Sequence, residues 1–273
     1  MEFKENDIRP EDLEEGKIKA LHEDLKRLRS YQKTFIKVNC PACDSNDSSH
    51  EFTKYDFNFD KCNICNTAYM NPRATSEILG KFYGDSVLYE YWDKFIFPAS
   101  RSVRKEKIFR PRVSYLLEKC NELNLSSEVL VEIGSASGMF CEEATNTNKF
   151  SKVIGIEPSS AQARTCRELG IEVIESTIEN VTGIDEIADI VVSFETIEHI
   201  SSPREFIKSC SKLLKKGGLL LISCPNYLGF DIMTLKEGSD SLDAEHINMF
   251  NPSSLSLLVE GLNFKIEEIS TPG

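Results

Sequence analysis

The fold is decided by the stretch Val129-Leu130-Val131-Glu132-Ile133-Gly134-Ser135-Ala136-Ser137-Gly138. Its first five residues read as a buried strand. The chain must then turn sharply over Gly134 and Gly138 before a segment that carries Met139, Phe140 and Ala144 at helical spacing. Glycine is needed where backbone meets a ligand with no side chain between them, and the amino end of the following helix adds amide donors. The same strand, turn and helix order continues downstream, with short apolar runs at 129–133, 153–156, 172–174, 189–194 and 219–223 separated by helical segments. That alternation predicts an α/β fold with a mostly parallel sheet and crossover helices.

Local signals at the helix ends agree. Ser159-x-x-Gln162 and Ser202-x-x-Glu205 read as capping boxes, Pro203 and Pro252 as first helical residues, and Gly170 and Gly261 as residues just past helix ends. Glu157 closes the run that follows the glycine turn, nineteen residues after Gly138, where a carboxylate can accept both hydroxyls of a ribose.

Upstream, the chain changes character three times. In residues 1–38, Ile18, Leu21, Leu25 and Leu28 recur at three- and four-residue steps and mark one apolar stripe of a helix, which either docks on the rest of the chain or forms a dimer. Residues 39–72 hold Cys40-Pro41-Ala42-Cys43, eighteen intervening residues, and Cys62-Asn63-Ile64-Cys65. Each pair places two thiolates on one turn, and two such turns joined by a hairpin give the closed tetrahedral sulfur site that suits structural zinc. Tyr55, Phe57 and Phe59 alternate as a strand of that hairpin should. Residues 73–112 form a helical bridge rich in rings (Phe82, Tyr83, Tyr89, Tyr91, Trp92, Phe95, Phe97) and then in Arg101, Arg104, Lys105, Lys107, Arg110 and Arg112. These rings fill a seam or wall a pocket, and the arginines suit an anionic ligand.

A formal charge of −12 weighs against a nucleic-acid partner, since that affinity comes largely from lysine and arginine contacts with phosphates. No apolar run approaches the roughly 18 residues of a membrane span. The charged opening, Met1-Glu2-Phe3-Lys4-Glu5, carries no secretion signal, so the expected compartment is the cytoplasm with reduced thiols. Cysteines 120, 141, 166, 210 and 224 read as core.

The glycine turn with Glu132 before it and Glu157 after it resembles the first motif of class I S-adenosylmethionine-dependent methyltransferases, with Ala136 where the middle glycine usually stands. Nucleotide-binding oxidoreductases share this layout, but their Gly-x-Gly-x-x-Gly pattern is not met by Gly134-x-Ala136-x-Gly138, and Glu132 suits a cationic ligand. The resemblance implies a Rossmann-like doubly wound domain over 113–273, with Glu132, Gly134, Ser135, Ala136, Gly138, Glu157 and Pro158 binding the cofactor. It further implies that Thr177 and Ile178 contact adenine, and that Phe194, Glu195 and His199, in Phe194-Glu195-Thr196-Ile197-Glu198-His199, lie near the methionine part.

Methyl transfer needs a nucleophile held in line with the methyl group and, for most acceptors, a base. The loop Asp243-Ala244-Glu245-His246 should sit at the carboxyl ends of the strands. His246 is the expected base, with Glu245 orienting it or binding substrate. The order of four-cysteine module, aromatic bridge, methyltransferase core and Glu-His loop is similar to bacterial sugar C-methyltransferases and related enzymes of lipopolysaccharide and nucleotide-sugar biosynthesis. That similarity implies a small sugar-linked acceptor, a monomer or homodimer, and Tyr83 as a pocket tyrosine. The contrasting reading is an inactive cofactor-binding and zinc-ribbon interaction module. Residues 264–269 are the last strand-like run, and Thr271-Pro272-Gly273 reads as a turn before a missing final strand. The expectation is therefore that the sequence is truncated or that a partner supplies that strand.

Overall fold

The computed structural model describes residues 4–271, so the opening Met1-Glu2-Phe3 and the last two residues of the expected closing turn lie outside it. The strands are β1 (Ser48–Lys54), β2 (Phe57–Cys62), β3 (Ala68–Met70), β4 (Val129–Ile133), β5 (Lys152–Ile156), β6 (Glu172–Ile174), β7 (Ala188–Phe194), β8 (Leu214–Ser223) and β9 (Asn248–Met249). The helices are α1 (Glu14–Ser30), α2 (Ser76–Gly84), α3 (Val87–Tyr91), α4 (Phe97–Arg104), α5 (Arg110–Glu122), α6 (Met139–Asn146), α7 (Ser160–Glu168), α8 (Pro203–Leu213), α9 (Phe230–Leu235) and α10 (Pro252–Glu260). Two π-helical turns, Trp92–Ile96 and Lys105–Phe109, continue the bridge helices. The chain divides into two compact units. The first runs to Asp24 and takes in Tyr83–Ser193 and Cys210–Ile222; the second takes in Leu25–Phe82, Phe194–Ser209 and the chain from Ser223.

The first unit holds a five-stranded sheet in the order β6-β5-β4-β7-β8, and β4 pairs in parallel with both β5 and β7. Leu130, Val131, Ile154, Ile190, Val191 and Val192 are buried, as strands covered on both faces require. Phe140 and Ala144 of α6 and Ala163 of α7 are buried too, while Cys141, Cys166 and Ile171 form an apolar cluster with Val153 and Val173. Ser159 caps α7 by accepting from the Gln162 amide, α8 and α10 begin at Pro203 and Pro252, and Gly170 follows α7 with a left-handed φ of 77°. The expected α/β fold is thus present.

The second unit holds the antiparallel sheet β1-β2-β3-β9. Tyr55 is not the strand residue its alternation with Phe57 and Phe59 predicts. Tyr55 and Asp56 both have positive φ, 53° and 67°, and form the two-residue turn joining β1 to β2. Phe57 and Phe59 are buried on β2, and Phe52 from β1 stacks on Phe59 at 4.7 Å between ring centroids. Residues 264–269 form no strand: their exposure alternates at first, but among the described residues no ladder partner receives them.

In α1, Leu25 and Leu28 are buried, whereas Ile18 at the start of the expected stripe is 42% exposed. Asp24 of α1 is fully buried in the first unit. Its carboxylate accepts from Ser86 Oγ at 2.6 Å, Val87 N at 3.1 Å and Leu88 N at 2.9 Å. A residue sixty positions away in sequence thereby satisfies amides that the first turn of α3 leaves open. Asp24→Ala strands all three donors, and denaturant unfolding should show a loss of about 2–4 kcal/mol. Asp24→Asn, which keeps one acceptor, should lose less; equal losses would contradict the capping role.

Candidate functional site

The turn after β4 is held open by backbone conformation. Gly134, Ala136 and Gly138 have φ of 75°, 46° and 74°, all left-handed. Ala136 occupies the position where the family resemblance calls for glycine, and the conformation shows why: an L-residue there costs about 1–2 kcal/mol. The amides of Gly134 and Ser135 both reach the carbonyl of Ile156, at 2.9 and 3.3 Å, which draws the turn onto the end of β5. Gly155 permits that approach, since a Cβ there would stand 2.6 Å from Ser135 Oγ.

Glu157 closes the arrangement. One carboxylate oxygen accepts from the Ala136 amide and the other from the Ser159 amide, each at 2.8 Å. Burial pushes its pKa up to about 7 against those two hydrogen bonds, with the nearby Asp93 carboxylate adding to the rise. Glu132, at the end of β4, accepts from the Cys141 thiol at 3.0 Å, and burial carries it to about 8 despite that bond and the opposing charge of Arg112. The hydroxyl of Ser137 is buried without a hydrogen-bond partner among the described residues, so the turn presents a polar atom that a ligand can satisfy. Two acidic side chains, an unpaired hydroxyl and a left-handed backbone fit a ligand that is cationic at one end and carries ribose hydroxyls at the other.

The remaining expected cofactor residues of this unit lie on connections after the strands. Pro158 is exposed beside Glu157, and Thr177 precedes a 3-10 turn, Ile178–Asn180, whose Ile178 is buried. Tyr83 also belongs to the first unit, where its ring stacks on Tyr89 at 5.7 Å.

In the second unit, Phe194 ends β7 and Glu195 follows with a left-handed φ of 49°. The Glu195 amide donates to Ser223 O, and the Ser223 hydroxyl donates to its carboxylate at 2.6 Å. A 3-10 turn, Ile197–His199, then brings His199 against His246, edge to face with ring centroids 4.8 Å apart. Nδ1 of His199 faces the carbonyl of Glu245 at 3.1 Å, and Nδ1 of His246 faces the carbonyl of Ser241 at 2.8 Å. Burial, then the neighbouring His246, hold His199 well below the ordinary histidine range. Glu198 and Glu245 are buried beside these rings in sequence.

The residue that pins this arrangement has no motif. Asn248 Nδ2 donates to the carbonyls of Ile197, Glu198 and Ile200 at 3.2, 3.3 and 2.7 Å. Its own oxygen accepts from Arg73 Nη1 at 2.7 Å, while Arg73 Nη2 donates to Ser201 O. The one signal for it in the sequence is an asparagine inside the apolar run Ile247-Asn248-Met249-Phe250, where a buried amide must find partners.

Cys40, Cys43, Cys62 and Cys65 converge. Their sulfurs lie within 4.8 Å of one another, with Cys40–Cys65 at 3.4 Å and Cys43–Cys62 at 3.5 Å. Zinc–sulfur bonds of about 2.3 Å in a tetrahedron set sulfurs close to 3.8 Å apart, so the cluster is compatible with zinc. Asn251 caps α10 and its Nδ2 donates to the carbonyls of Cys65 and Asn66, fixing that helix to the second cysteine turn.

Residues 102–269 match the profile of the methyltransferase-domain family, more than half of the chain, and the protein belongs to that family. The fold over these residues is that of a class I S-adenosylmethionine-dependent methyltransferase. The chain is similar to the ubiquinone biosynthesis O-methyltransferase of Bradyrhizobium sp., 29% identical over 150 residues that cover 50% of this chain and 57% of the relative. It is also similar to the enzyme of that name from Rhodopseudomonas palustris, 26% identical over 59% of this chain and 66% of the relative. The matches thus span less than two thirds of those relatives. Among solved structures, an S-adenosylmethionine-dependent methyltransferase from Thermotoga maritima aligns over 70% of this chain and 82% of its own at 24% identity, with a TM-score of 0.49. No helix among the described residues is long and apolar enough to cross a membrane.

Raised carboxyl values have a signed consequence for stability. Glu132 and Glu157 keep their protons in the folded chain at a pH where the unfolded chain, near 4.5, has lost them. Their contribution is therefore most favourable below about pH 4.5, falls as pH rises through 7 and 8, and levels off above. Glu132→Gln removes one titration, so its stability relative to the parent, followed by denaturant unfolding from pH 5 to 8.5, should improve steadily with pH. A difference that does not change with pH would contradict the buried, protonated carboxyl.

Proposed function

We propose that the protein transfers the methyl group of S-adenosylmethionine to a small, sugar-linked acceptor. The observation that carries the cofactor half is the turn at 134–138 with Glu157 locked against it. When bound, the cofactor supplies an electrophilic methyl on a sulfonium. Glu132, Gly134, Ser135, Ala136 and Gly138 would receive its amino acid end, Glu157 and Pro158 its ribose, and Thr177 and Ile178 its adenine. Phe194, Glu195 and His199 would complete the methionine side. Glu132, whose pKa burial raises to about 8 in the ligand-free chain, would give up its proton on facing a cationic ligand.

The acceptor half of the reading rests on the second unit. β9, which directly follows Glu245 and His246, pairs with β3 of the cysteine module at Ala68↔Met249 and Tyr69↔Asn248, and Met70 N donates to Ile247 O. A module that shares its sheet with the Glu-His loop has a reason to be there, namely to hold that loop in place. The four thiolates are proposed to bind structural zinc, and Glu245, His246 and Tyr83 to act on the acceptor and its proton. This arrangement is the one implied by the likeness to sugar C-methyltransferases. The names of the curated relatives support a second reading, in which the acceptor is an aromatic hydroxyl methylated on oxygen.

Calorimetry on the zinc-loaded chain should give micromolar or tighter S-adenosylmethionine binding, which in His246→Ala should change less than about threefold while turnover falls by about 10²-fold or more. Nucleotide-linked ketosugars and a catechol would serve as competing acceptors. Methylation of the sugar supports the proposal, and methylation of the catechol alone transfers it to the second reading. Failure of the folded chain to bind the cofactor overturns both in favour of an interaction module.

A further inference from the structure

The second unit holds another cluster of donor atoms besides the four cysteines. Glu198, His199 and His246 each offer one ligand atom, and these atoms lie within 4.8 Å of one another. We propose that these three side chains form a binding site for a divalent first-row cation, distinct from the thiolate cluster and of different chemical preference.

Orientation is the main argument. A histidine that binds a metal through one nitrogen donates the hydrogen on the other to a carbonyl or carboxylate, which fixes its tautomer and aim. Both rings meet that requirement, since Nδ1 of His199 donates to Glu245 O and Nδ1 of His246 donates to Ser241 O, so that each Nε2 carries a lone pair. The third donor, the Glu198 carboxylate, is 1% exposed on a turn whose carbonyls Asn248 clamps, and Asn248 is in turn fixed by Arg73. A site pre-set in this way loses little entropy on binding an ion.

Donor chemistry separates the two clusters. Four sulfurs select zinc, whereas two imidazoles and a carboxylate with positions left open suit manganese, iron or cobalt in the divalent state and leave room for oxygen ligands. Octahedral bonds of about 2.1–2.2 Å put adjacent donors near 3.1 Å apart, and ligand atoms all within 4.8 Å of one another reach that spacing with no pair closing by more than about 1.7 Å. The inference rests on the reading of the Glu245–His246 loop as the acceptor side and deepens it. The open positions would take an oxygen of the acceptor, a ketone or a hydroxyl, and lower the cost of removing its proton. His246 then acts on the acceptor through the cation, and the proton that leaves the acceptor passes to the Glu245 carboxylate of the same loop.

The test is a manganese titration of the full, zinc-loaded chain followed by electron paramagnetic resonance. The wild type should bind one Mn²⁺ per chain with dissociation constant in the micromolar to 100-micromolar range, roughly 6–8 kcal/mol of binding free energy, and pulsed spectra should show coupling to imidazole nitrogen. Glu198→Gln and His246→Gln should each weaken binding by at least tenfold while zinc content and melting temperature match the parent. A wild-type chain that binds no Mn²⁺ or Co²⁺, or variants that bind as well as the parent, would overturn the site. Cofactor binding by the same samples keeps the questions apart: S-adenosylmethionine bound without Mn²⁺ defeats the cation site alone, and Mn²⁺ bound without the cofactor defeats the methyltransferase reading alone.

Discussion

The carboxylate of Glu157 accepts from the amides of both Ala136 and Ser159, and much of the first unit is arranged to make that possible. The register of the β4–β5 pair, with Ile133 opposite Ile156, delivers the two strand ends at the same level. Gly155 removes a side chain that would strike Ser135, and the left-handed backbone at 134, 136 and 138 turns the amides toward β5. A carboxylate without water pays heavily for its charge, and here it shifts toward neutrality instead. The result is a turn tied to the end of β5, with a carboxyl at its edge whose pKa burial raises to about 7.

The second unit solves a similar problem with a different residue. The 3-10 turn at Ile197–His199 leaves carbonyls open, and Asn248, on a strand about fifty residues away, donates to those of Ile197 and Glu198 and to that of Ile200 just beyond the turn. Arg73, itself nearly buried, anchors that asparagine. Because β9 carries Asn248 and pairs with β3, the cysteine module, the two-histidine contact and the Glu-His loop form one connected structure within this unit. Two donor sets of opposite softness stand in a single unit, one of sulfur and one of nitrogen and oxygen.

Much of the first unit was legible in the sequence because periodicity and glycine placement are local. The runs at 153–156 and 189–194 fall within a residue of β5 and β7. The run at 219–223 underestimates β8, which starts at Leu214, because Lys215-Lys216-Gly217-Gly218 reads as a turn; β8 ends the strand order, and an edge strand tolerates lysines. The four cysteines were legible from spacing alone. Tyr55 was misplaced because Tyr-Asp carries little turn signal until both residues are seen in left-handed conformations. Residues 264–269 alternate like a strand, yet alternation says nothing about whether a neighbour exists. The meeting of His199 with His246, and the roles of Asn248, Arg73 and Asp24, depend on contacts between distant segments, which no local pattern records.

The central claim is that the turn at 134–138 and Glu157 receive the cofactor, and backbone nuclear magnetic resonance during titration with S-adenosylhomocysteine tests it most directly. Ribose hydroxyls that engage the Glu157 carboxylate must compete with the amides of Ala136 and Ser159. The account therefore predicts that these two amides, and those of 134–138 around them, move most at saturation and lose part of their hydrogen-bonded shift. Saturating ligand that leaves the amides of Ala136 and Ser159 unmoved would contradict it.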